Sequence, residues 1–429
     1  MKFYGWKLLA VMWLIVFLNF GLPLCGAIVI NPYMAADLHF DRGMLGLVYA
    51  VFQLTTGVPG PLVAFFIHKK GVRLTLVAGC ALVVLGSLLM ALYVHSAVQV
   101  FIVFGLIVGL GAFAGGPLAT QTGIAQWFDN RRTFAISVLL TGGGICTVVG
   151  PMLLNRVIVA SGGNWRVAWW LVAAGSICSM LLAFFFVKER PSELGQLPDG
   201  RRADEAAVST AAPVRARRSV YHCREDWDLS QVWRSSTFWL MLVALFGFSP
   251  GYAAFMAHGV VHLEDLGNTP AAAAFFISLT AAAGLLGMLA VAWLGDRIEL
   301  RLIWAVASLA FGAGMLLSLK ATQPAVFWSS AILMGAGFAA CITCVMTLPA
   351  NYFGHKSYAS VVGVLMVAGT IFGAAGAYGA GYVYDHFGSY SRAFFAIAVL
   401  CVISSFILVA LKPPVRRQEP ALTVAGTGI

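Results

Sequence analysis

The sequence predicts an all-α membrane protein in which twelve transmembrane helices form two pseudo-symmetric six-helix bundles. Two observations predict this architecture. Of the 429 residues, 60% are hydrophobic and only 10% are charged, whereas soluble domains carry about 25% charged residues. In addition, several short sequences recur in the same order after about 225 residues, which indicates a duplicated unit.

The charge-free runs predict where the helices cross the membrane. They cover residues 8–36, 43–68, 74–128, 133–155, 167–187, 235–263, 266–295, 302–319, 321–355, 357–384 and 393–411. A bilayer core needs about 20 apolar residues per helix, so the run 74–128 is too long for one helix. We expect a turn near Tyr93–Gln99, which brings the number of helices to twelve. The first span, Leu8–Pro32, is too long for the apolar core of a cleavable signal peptide.

The distribution of charge predicts the orientation. If the N-terminus is cytoplasmic and the helices alternate, the cytoplasmic segments hold 22 Lys and Arg residues and 12 Asp and Glu residues, and the outer segments hold 5 of each. The entire net charge of +10 then lies on the inside, as the positive-inside rule expects. This explains the basic composition without nucleic-acid binding and predicts cytoplasmic N- and C-termini.

The longest polar segment divides the chain. Residues 188–236 are rich in Arg, Ala, Asp and Glu and lack an apolar period, which is typical of a flexible linker. The expected organisation is an N-terminal six-helix bundle at 1–187, a cytoplasmic linker at 188–236, a C-terminal six-helix bundle at 237–412 and a cytoplasmic tail at 413–429.

Five pairs of short sequences align the two halves at offsets that drift only from 228 to 225 residues. The pairs are Ala36–Phe40 with Glu264–Asn268, His68–Arg73 with Asp296–Arg301, Gly109–Gly111 with Gly335–Gly337, Trp127–Arg132 with Tyr352–Ser357, and Asn164–Trp169 with Ser389–Phe394. Parallel repeats of six helices, related by an axis along the membrane normal, place a solute site near mid-membrane between the halves.

With these features the chain resembles the major facilitator superfamily, and the resemblance covers nearly its full length. The superfamily signature, roughly G-x-x-x-D-R-x-G-R-R, lies between helices 2 and 3, with a degenerate copy between helices 8 and 9. Here the first copy reads "GPLVAFFIHKKGVR" (Gly60–Arg73) and the second "GMLAVAWLGDRIELR" (Gly287–Arg301). The resemblance implies that these loops form a conformational gate with the residues His68, Arg73, Asp296, Arg297 and Arg301.

The two loops differ at one position. The resemblance implies that the Asp of such a loop lies against the positive N-terminal end of a neighbouring helix. Asp296 is expected to do so at the start of helix 5. His68 replaces the Asp in the first copy and is expected to give a weaker gate.

Further stretches resemble the bacterial monocarboxylate transporters and oxalate/formate antiporters. They are Tyr4–Trp6, Trp127–Arg132, Asn164–Trp170, Arg190–Gly200, His258–Gly267 and Tyr384–Phe394. This resemblance implies a symporter or antiporter in the bacterial inner membrane that moves a small organic acid with protons by alternating access. One departure is that Met288 stands where such carriers have an arginine in helix 8. The solute could therefore be neutral, cationic or held by dipoles alone, or Arg156 or Arg166 could replace the missing arginine.

Polar and aromatic side chains within the spans are the candidates for solute binding. Such groups mark a transport pathway or serve in hydrogen bonds between helices. The candidates are Asn19, Gln53, Gln121, Tyr252, Phe255, Thr347, Thr370 and Tyr378.

His258 is the candidate for proton coupling, because histidine changes charge near neutral pH and no Asp or Glu occurs at a span centre. The alternative is an interfacial histidine without a role.

The sequence contains no catalytic constellation, phosphate-binding loop or metal-binding pattern, so we expect neither an enzyme nor a cofactor. The expected partners are the lipid bilayer, a small-molecule substrate, and protons or a counter-solute, for a monomeric protein without nucleic acid. Two other functions stay open: export of hydrophobic or aromatic compounds, and a non-transporting membrane sensor on the same fold.

Overall fold

The computed structural model describes residues 3–39, 42–200, 220–223 and 225–415, and within them it is built from helices. The main helices are α1 (Gly5–Ile15, the π-helical turn Val16–Gly21 and Leu22–Leu38), α2 (Arg42–Thr55 and Gly60–Lys70), α3 (Val72–Leu92), α4 (Ala97–Trp127), α5 (Arg132–Ala160), α6 (Arg166–Phe186), α7 (Ser236–Asp265), α8 (Pro270–Leu294), α9 (Leu300–Ser318), α10 (Pro324–Phe353), α11 (Tyr358–Phe387) and α12 (Ser391–Ala410).

Eleven helices in the described part of the chain are long and apolar enough to cross a membrane. The twelfth, α2, is interrupted between Thr55 and Gly60 and consists of parts of 14 and 11 residues. Gly57 and Pro59 explain this break, because neither favours a continuous helix. The expected turn near Tyr93–Gln99 is confirmed, since α3 ends at Leu92 and α4 begins at Ala97.

The helix ends lie on two faces. The terminal face carries Gly5 at the start of α1 and Ala410 at the end of α12, and consecutive helices alternate between it and the distal face. At the terminal face, the Tyr4 hydroxyl donates to the carbonyl of Phe186 at 2.8 Å. At the distal face, the Trp165 indole donates to the Asp37 carboxylate at 2.9 Å. These bonds tie α1 to α6 at both ends.

Within each half, glycines allow close helix contacts. A Cβ atom on Gly79 of α3 would lie 2.1 Å from the backbone nitrogen of Gly115 in α4, and one on Gly335 of α10 would lie 2.0 Å from the carbonyl oxygen of Thr280 in α8. These helices therefore pack backbone against backbone, which gives the dispersion contacts that hold helices together in a membrane.

The two halves meet mainly where α5 contacts α8 and α10, and where α11 contacts α4 and the Gly60–Lys70 part of α2. In the α2–α11 contact, a Cβ atom on Gly60 would lie 2.3 Å from the carbonyl oxygen of Gly363. Toward the distal face, α5 and α11 expose Met152 and Tyr378 by 64% and 77%. The described contacts between the halves thus concentrate toward the terminal face.

Both ends of the predicted linker are folded onto the terminal face. Residues Pro191–Leu194 and Pro198–Gly200 form single 3₁₀ turns, and Leu229–Trp233 forms a short helix. The backbone nitrogens of Cys223 and Trp227 donate to the carbonyls of Asn351 and Phe353 at the end of α10. These segments thus differ from the flexible linker that their composition predicts, because backbone and carboxylate bonds and ring contacts such as that of Trp227 with Phe353 hold them to the helices. Residues 201–219 of the linker and 416–429 of the tail lie outside the described residues.

Candidate gate and solute pathway

The loop between α8 and α9 contacts the start of α5 in the other half. The Asp296 carboxylate accepts a hydrogen bond from the backbone nitrogen of Phe134, the third residue of α5, at 3.4 Å. Gly295 lies so close to α5 that a Cβ atom on it would lie 2.2 Å from Cγ2 of Thr133. Burial raises the pKa of Asp296, and hydrogen bonds from Thr133 and Phe134 oppose this effect. A carboxylate here faces the positive end of the α5 dipole.

The segment that joins α2 and α3 makes the equivalent contact from the N-terminal half to the start of α11 in the C-terminal half. Nε2 of His68 lies 3.2 Å from the Ser360 hydroxyl oxygen, and Ser360 is the third residue of α11 just as Phe134 is of α5. The repeat therefore places both loops at helix starts of the opposite half. One loop presents a carboxylate there, and the other an imidazole.

The three arginines among the predicted gate residues lie on hydrophobic or backbone surfaces. The guanidinium of Arg73 lies 4.9 Å from the ring centre of Phe184, and that of Arg297 lies 4.6 Å from Trp293. Arg301 donates to the carbonyl oxygens of Val409 and Leu411 at the end of α12. Arg73 and Arg301 thus bind within their own half.

A fourth arginine, Arg132, joins the halves and was missed by the sequence analysis. It is only 2% exposed. Its Nη1 donates to the carbonyl of Ala350 at 2.5 Å, and its Nη2 to Nε2 of His355 at 2.8 Å and to the Asp129 carboxylate at 3.2 Å. Ala350 and His355 belong to the other half. The sequence did contain a signal for this contact. A basic residue at the start of a helix is disfavoured by the helix dipole, so an arginine at this position indicates a partner elsewhere in the fold.

Both ends of the linker cap the loops around this arginine. The Asp199 carboxylate accepts from the backbone nitrogens of Asp129 and Asn130, at 3.2 and 2.7 Å. The Asp226 carboxylate accepts from the backbone nitrogen of His355 at 2.7 Å. Asn130 and His355 are equivalent in the 225-residue repeat. We call Asp199 and Asp226 the brace carboxylates, because Asp199 binds the loop before α5 and Asp226 binds the equivalent loop before α11.

Four of the eight predicted solute-binding residues are at least partly exposed. Tyr252 stacks on Phe338 with ring centres 3.5 Å apart and planes inclined by 6°. Gln53 and Tyr378 are exposed. Thr370 is half-buried and donates to the carbonyl of Met366. Neighbouring helices therefore do not fully enclose these four side chains.

The other four candidates are buried between helices. Asn19 donates to the carbonyl of Gly115 in α4 at 3.1 Å. Gln121 accepts from the Tyr358 hydroxyl at 3.2 Å, and Thr347 donates back to Thr343 within α10. Phe255 packs against two further phenylalanines, Phe276 and Phe394. In this state of the protein all four are engaged in packing.

His258 lies toward the distal face on α7 and is half-buried. Its Nε2 is 3.0 Å from the carbonyl oxygen of Ala377, and its Nδ1 is 3.4 Å from the Tyr390 hydroxyl. A carbonyl only accepts, so Nε2 carries a proton and Nδ1 can accept from Tyr390. His262, one turn further, is buried against the carbonyl of Ser318 at 3.1 Å.

The position of the missing arginine lies at the contact between the halves. Met288 of α8 is half-buried, and its sulfur lies 3.5 Å from where a Cβ atom on Gly144 of α5 would stand. Arg166, one possible substitute, donates to the carbonyl of Val94 at the distal face, and Arg156 is exposed. The α5–α8 contact is therefore apolar at the position where the resemblance implies an arginine.

No group of three His, Cys, Asp or Glu side chains within the described ranges could hold a metal ion. Cys341 and Cys344 are both buried in α10, where Cys341 lies 3.6 Å from the Ser308 hydroxyl. They occupy packing positions between α9 and α10.

Comparisons with known proteins agree with this architecture. The bovine (Bos taurus) protein named monocarboxylate transporter 13 is 28% identical over 376 residues, which cover 83% of this chain and 79% of the relative. The Escherichia coli fucose:proton symporter FucP superposes with a TM-score of 0.70 at 16% identity, over 96% of this chain and 100% of that one. The human organic anion transporter MFSD10 gives a TM-score of 0.70 at 17% identity, over 94% and 99%.

The two solved structures share the fold, and the bovine relative is similar in sequence over most of both chains. The profile described as Major Facilitator Superfamily matches residues 9–377, which is most of the sequence. The expected twelve-helix architecture in two related halves is thereby confirmed, together with the resemblance to monocarboxylate transporters. The chain belongs to the major facilitator superfamily of membrane transporters.

Proposed function

We propose that this protein is a secondary active transporter that moves a small organic acid together with a proton by alternating access. The observation that carries alternating access is the pair of equivalent loops, each docked on a helix start of the opposite half. The substrate class is supported by the likeness to a protein named monocarboxylate transporter over 83% of this chain.

The contacts between the halves support a state that is closed at the terminal face. Asp296, His68 and Arg132 all reach the opposite half there. The distal parts of α5 and α11 leave residues such as Met152 and Tyr378 exposed. Rocking the halves about the α5–α8 and α2–α11 contacts would close the distal face and open the terminal face, as in other repeat-built carriers.

The apolar α5–α8 contact favours proton-coupled movement of the acid. A lone carboxylate in the bilayer centre needs a cation or several strong donors, and Met288 supplies neither. A carboxylic acid with its proton is neutral, so a pathway lined by Tyr252, Gln53 and Thr370 can accept the pair. The other predicted contacts, Asn19, Gln121, Phe255 and Thr347, would then serve after rearrangement of the helices.

His258 is our candidate for the proton carrier. Its position between the Tyr390 hydroxyl and the Ala377 carbonyl lets the neutral ring bond at both nitrogens, and a second proton on Nδ1 requires only that the hydroxyl turn to accept. We expect His258→Gln to abolish the pH dependence of uptake while solute exchange continues. His262→Gln, on the same helix and bonded to a carbonyl in the same way, is the matched control.

The terminal face is proposed to be cytoplasmic in a bacterial inner membrane, because it holds the basic excess. In this arrangement residues 1–187 and 237–412 are the moving halves, 188–236 connect them and 413–429 form a tail, in a monomer.

Transport is tested with purified protein in liposomes. Counterflow of labelled lactate, pyruvate and benzoate should be saturable, and uptake should follow an imposed pH gradient. Saturable binding of these acids without counterflow would refute the transporter and favour the sensor.

Export of aromatic compounds is the second candidate. The Tyr252–Phe338 stack and the Phe246–Phe372 pair, with ring centres 3.9 Å apart, favour it because aromatic rings pair well with rings of a ligand. Counterflow of aromatic amines but not of acids would identify this function.

A further inference from the structure

We propose that His355 is a proton-binding site that stays neutral while the terminal face is closed and takes up a proton when that face opens. This site differs from His258, which lies toward the distal face. The inference rests on the proposed alternating access, because it requires the terminal face to open.

The contact with Arg132 determines the protonation state of His355. A guanidinium has only donors, so the 2.8 Å contact between its Nη2 and Nε2 of His355 requires an unprotonated Nε2. The proton of the neutral ring is therefore on Nδ1. A second proton would have to stand on Nε2, facing the guanidinium of Arg132. The closed geometry excludes the imidazolium.

The surroundings of His355 reinforce this exclusion. Burial and the charge of Arg132 lower the pKa of His355 to about 4, although the carboxylates of Asp226 and Asp129 act in the opposite direction. Both carboxylates are already engaged, Asp226 with the backbone nitrogen of His355 and Asp129 with Arg132. The neighbouring Lys356 is paired with Asp228 at 2.6 Å. The carboxylates of Asp226 and Asp129 thus offset only part of the effect of burial and of Arg132 on the ring.

Opening the terminal face separates the two partners. Arg132 begins α5 in the N-terminal half, whereas His355 lies between α10 and α11 in the C-terminal half. Once apart, His355 gains solvent and loses the nearby positive charge, so its pKa returns to the ordinary value of about 6.5. Protons then bind the open state more tightly than the closed state and shift the population toward it.

The size of the shift follows from the two protonation equilibria. With a pKa of about 4 in the closed state and about 6.5 in the open state, lowering the pH from 7.5 to 5 raises the open-to-closed ratio roughly 30-fold. Acid on the terminal side therefore favours exposure of the pathway to that side.

The test measures distances between the halves in the full-length protein. Spin labels are placed on cysteines at two exposed positions of the terminal face, Ser192→Cys and Ile298→Cys, after replacement of Cys178 and Cys223 by serine. We expect the long-distance population to grow roughly 30-fold relative to the short-distance one between pH 7.5 and 5.

His355→Gln is the decisive variant. The glutamine oxygen can accept from Arg132 but does not titrate, so we expect the face to close and its opening at low pH to disappear. His386→Gln, an exposed histidine at the distal face, should keep the full response. An unchanged response in His355→Gln, or no response in the parent protein, overturns the proposal.

A second measurement does not depend on opening. A short thiol-specific cross-linker between His68→Cys and Ser360→Cys holds the terminal face closed, and ¹⁵N NMR of the histidine rings reports their protonation. His355 should remain neutral with its proton on Nδ1 at pH 5. Titration of His355 near pH 6.5 in the cross-linked protein would overturn the proposal.

The two proposals fail separately. Counterflow of acids without the pH-dependent distance change would remove only the role of His355. The distance change without any counterflow would remove only the transport of acids.

Discussion

Replacing Arg132 with glutamine should open the terminal face. Two of the hydrogen bonds of Arg132, to the Ala350 carbonyl and to His355, cross between the halves. A hydrogen bond to a charged group contributes about 1.5–3 kcal/mol net, so the loss of both at the lower figure costs about 3 kcal/mol. Since about 1.4 kcal/mol changes an equilibrium tenfold, we expect the open-to-closed ratio to rise roughly a hundredfold.

The same inter-half distance measurement reads this change, and the chain supplies a matched control. Arg131 is adjacent, equally charged and exposed, with its guanidinium 5.9 Å from the ring centre of Trp6. Arg131→Gln should leave the ratio unchanged, because an exposed charge at this position makes no described bond across the halves. If Arg132→Gln and Arg131→Gln have the same ratio, the buried arginine does not hold the face closed, and our reading of the contact is wrong.

Three further changes test the other contacts at the terminal face. His68→Asp places a carboxylate at the start of α11 beside Ser360 and should favour the closed state by about 0.3–1 kcal/mol. The resulting gain in the short-distance population should shrink at high salt. A shift toward the open state would contradict the favourable interaction of a carboxylate with the helix dipole. Gly60→Ala puts a methyl group 2.3 Å from the carbonyl oxygen of Gly363 and should prevent closure of the terminal face, which increases thiol labelling of a cysteine at that face. Gly379→Ala in α11, with no atom within 4 Å of its Cβ position, should leave this labelling unchanged. Because burial raises the pKa of Asp296, the protonated side chain favours the closed state. This contribution is complete below the ordinary pKa of about 3.9 and is lost as the pH rises through the raised pKa. Asp296→Asn should remove this loss, and an identical pH profile above pH 4 in both proteins would contradict the role of Asp296.

The span positions were readable because charged residues and prolines mark the helix ends. The charge-free run 266–295 agrees with α8, which begins at Pro270, capped by Thr269, and ends at Leu294, two residues before Asp296. The break in α2 was missed since residues 43–68 carry no charge. Its signals, Gly57 and Pro59, are weaker than a charge because both residues also occur within transmembrane helices.

The candidate solute site was less predictable. Asn19, Gln121 and Tyr252 look alike in a charge-free run, and only helix rotation and the neighbouring helices decide which are buried. Asn19 bonds to α4 and Gln121 to Tyr358 of α11, whereas Tyr252 remains half-exposed. Arg132 was visible in the repeat "WFDNRR", but its partners lie 218 and 223 residues away. Such contacts depend on how the halves dock, which no local pattern contains.

The brace carboxylates have a consequence for how the chain can be divided. Asp199 binds the loop before α5, and Asp226 binds the loop before α11, so each six-helix half keeps its own docking segment when the polypeptide is cut between Gly200 and Val220. Two separately translated fragments, 1–200 and 220–429, would each contain every described bond that its brace makes. The covalent tether would then serve to raise the local concentration of one fragment near the other, and co-expression of the fragments could restore a working pair.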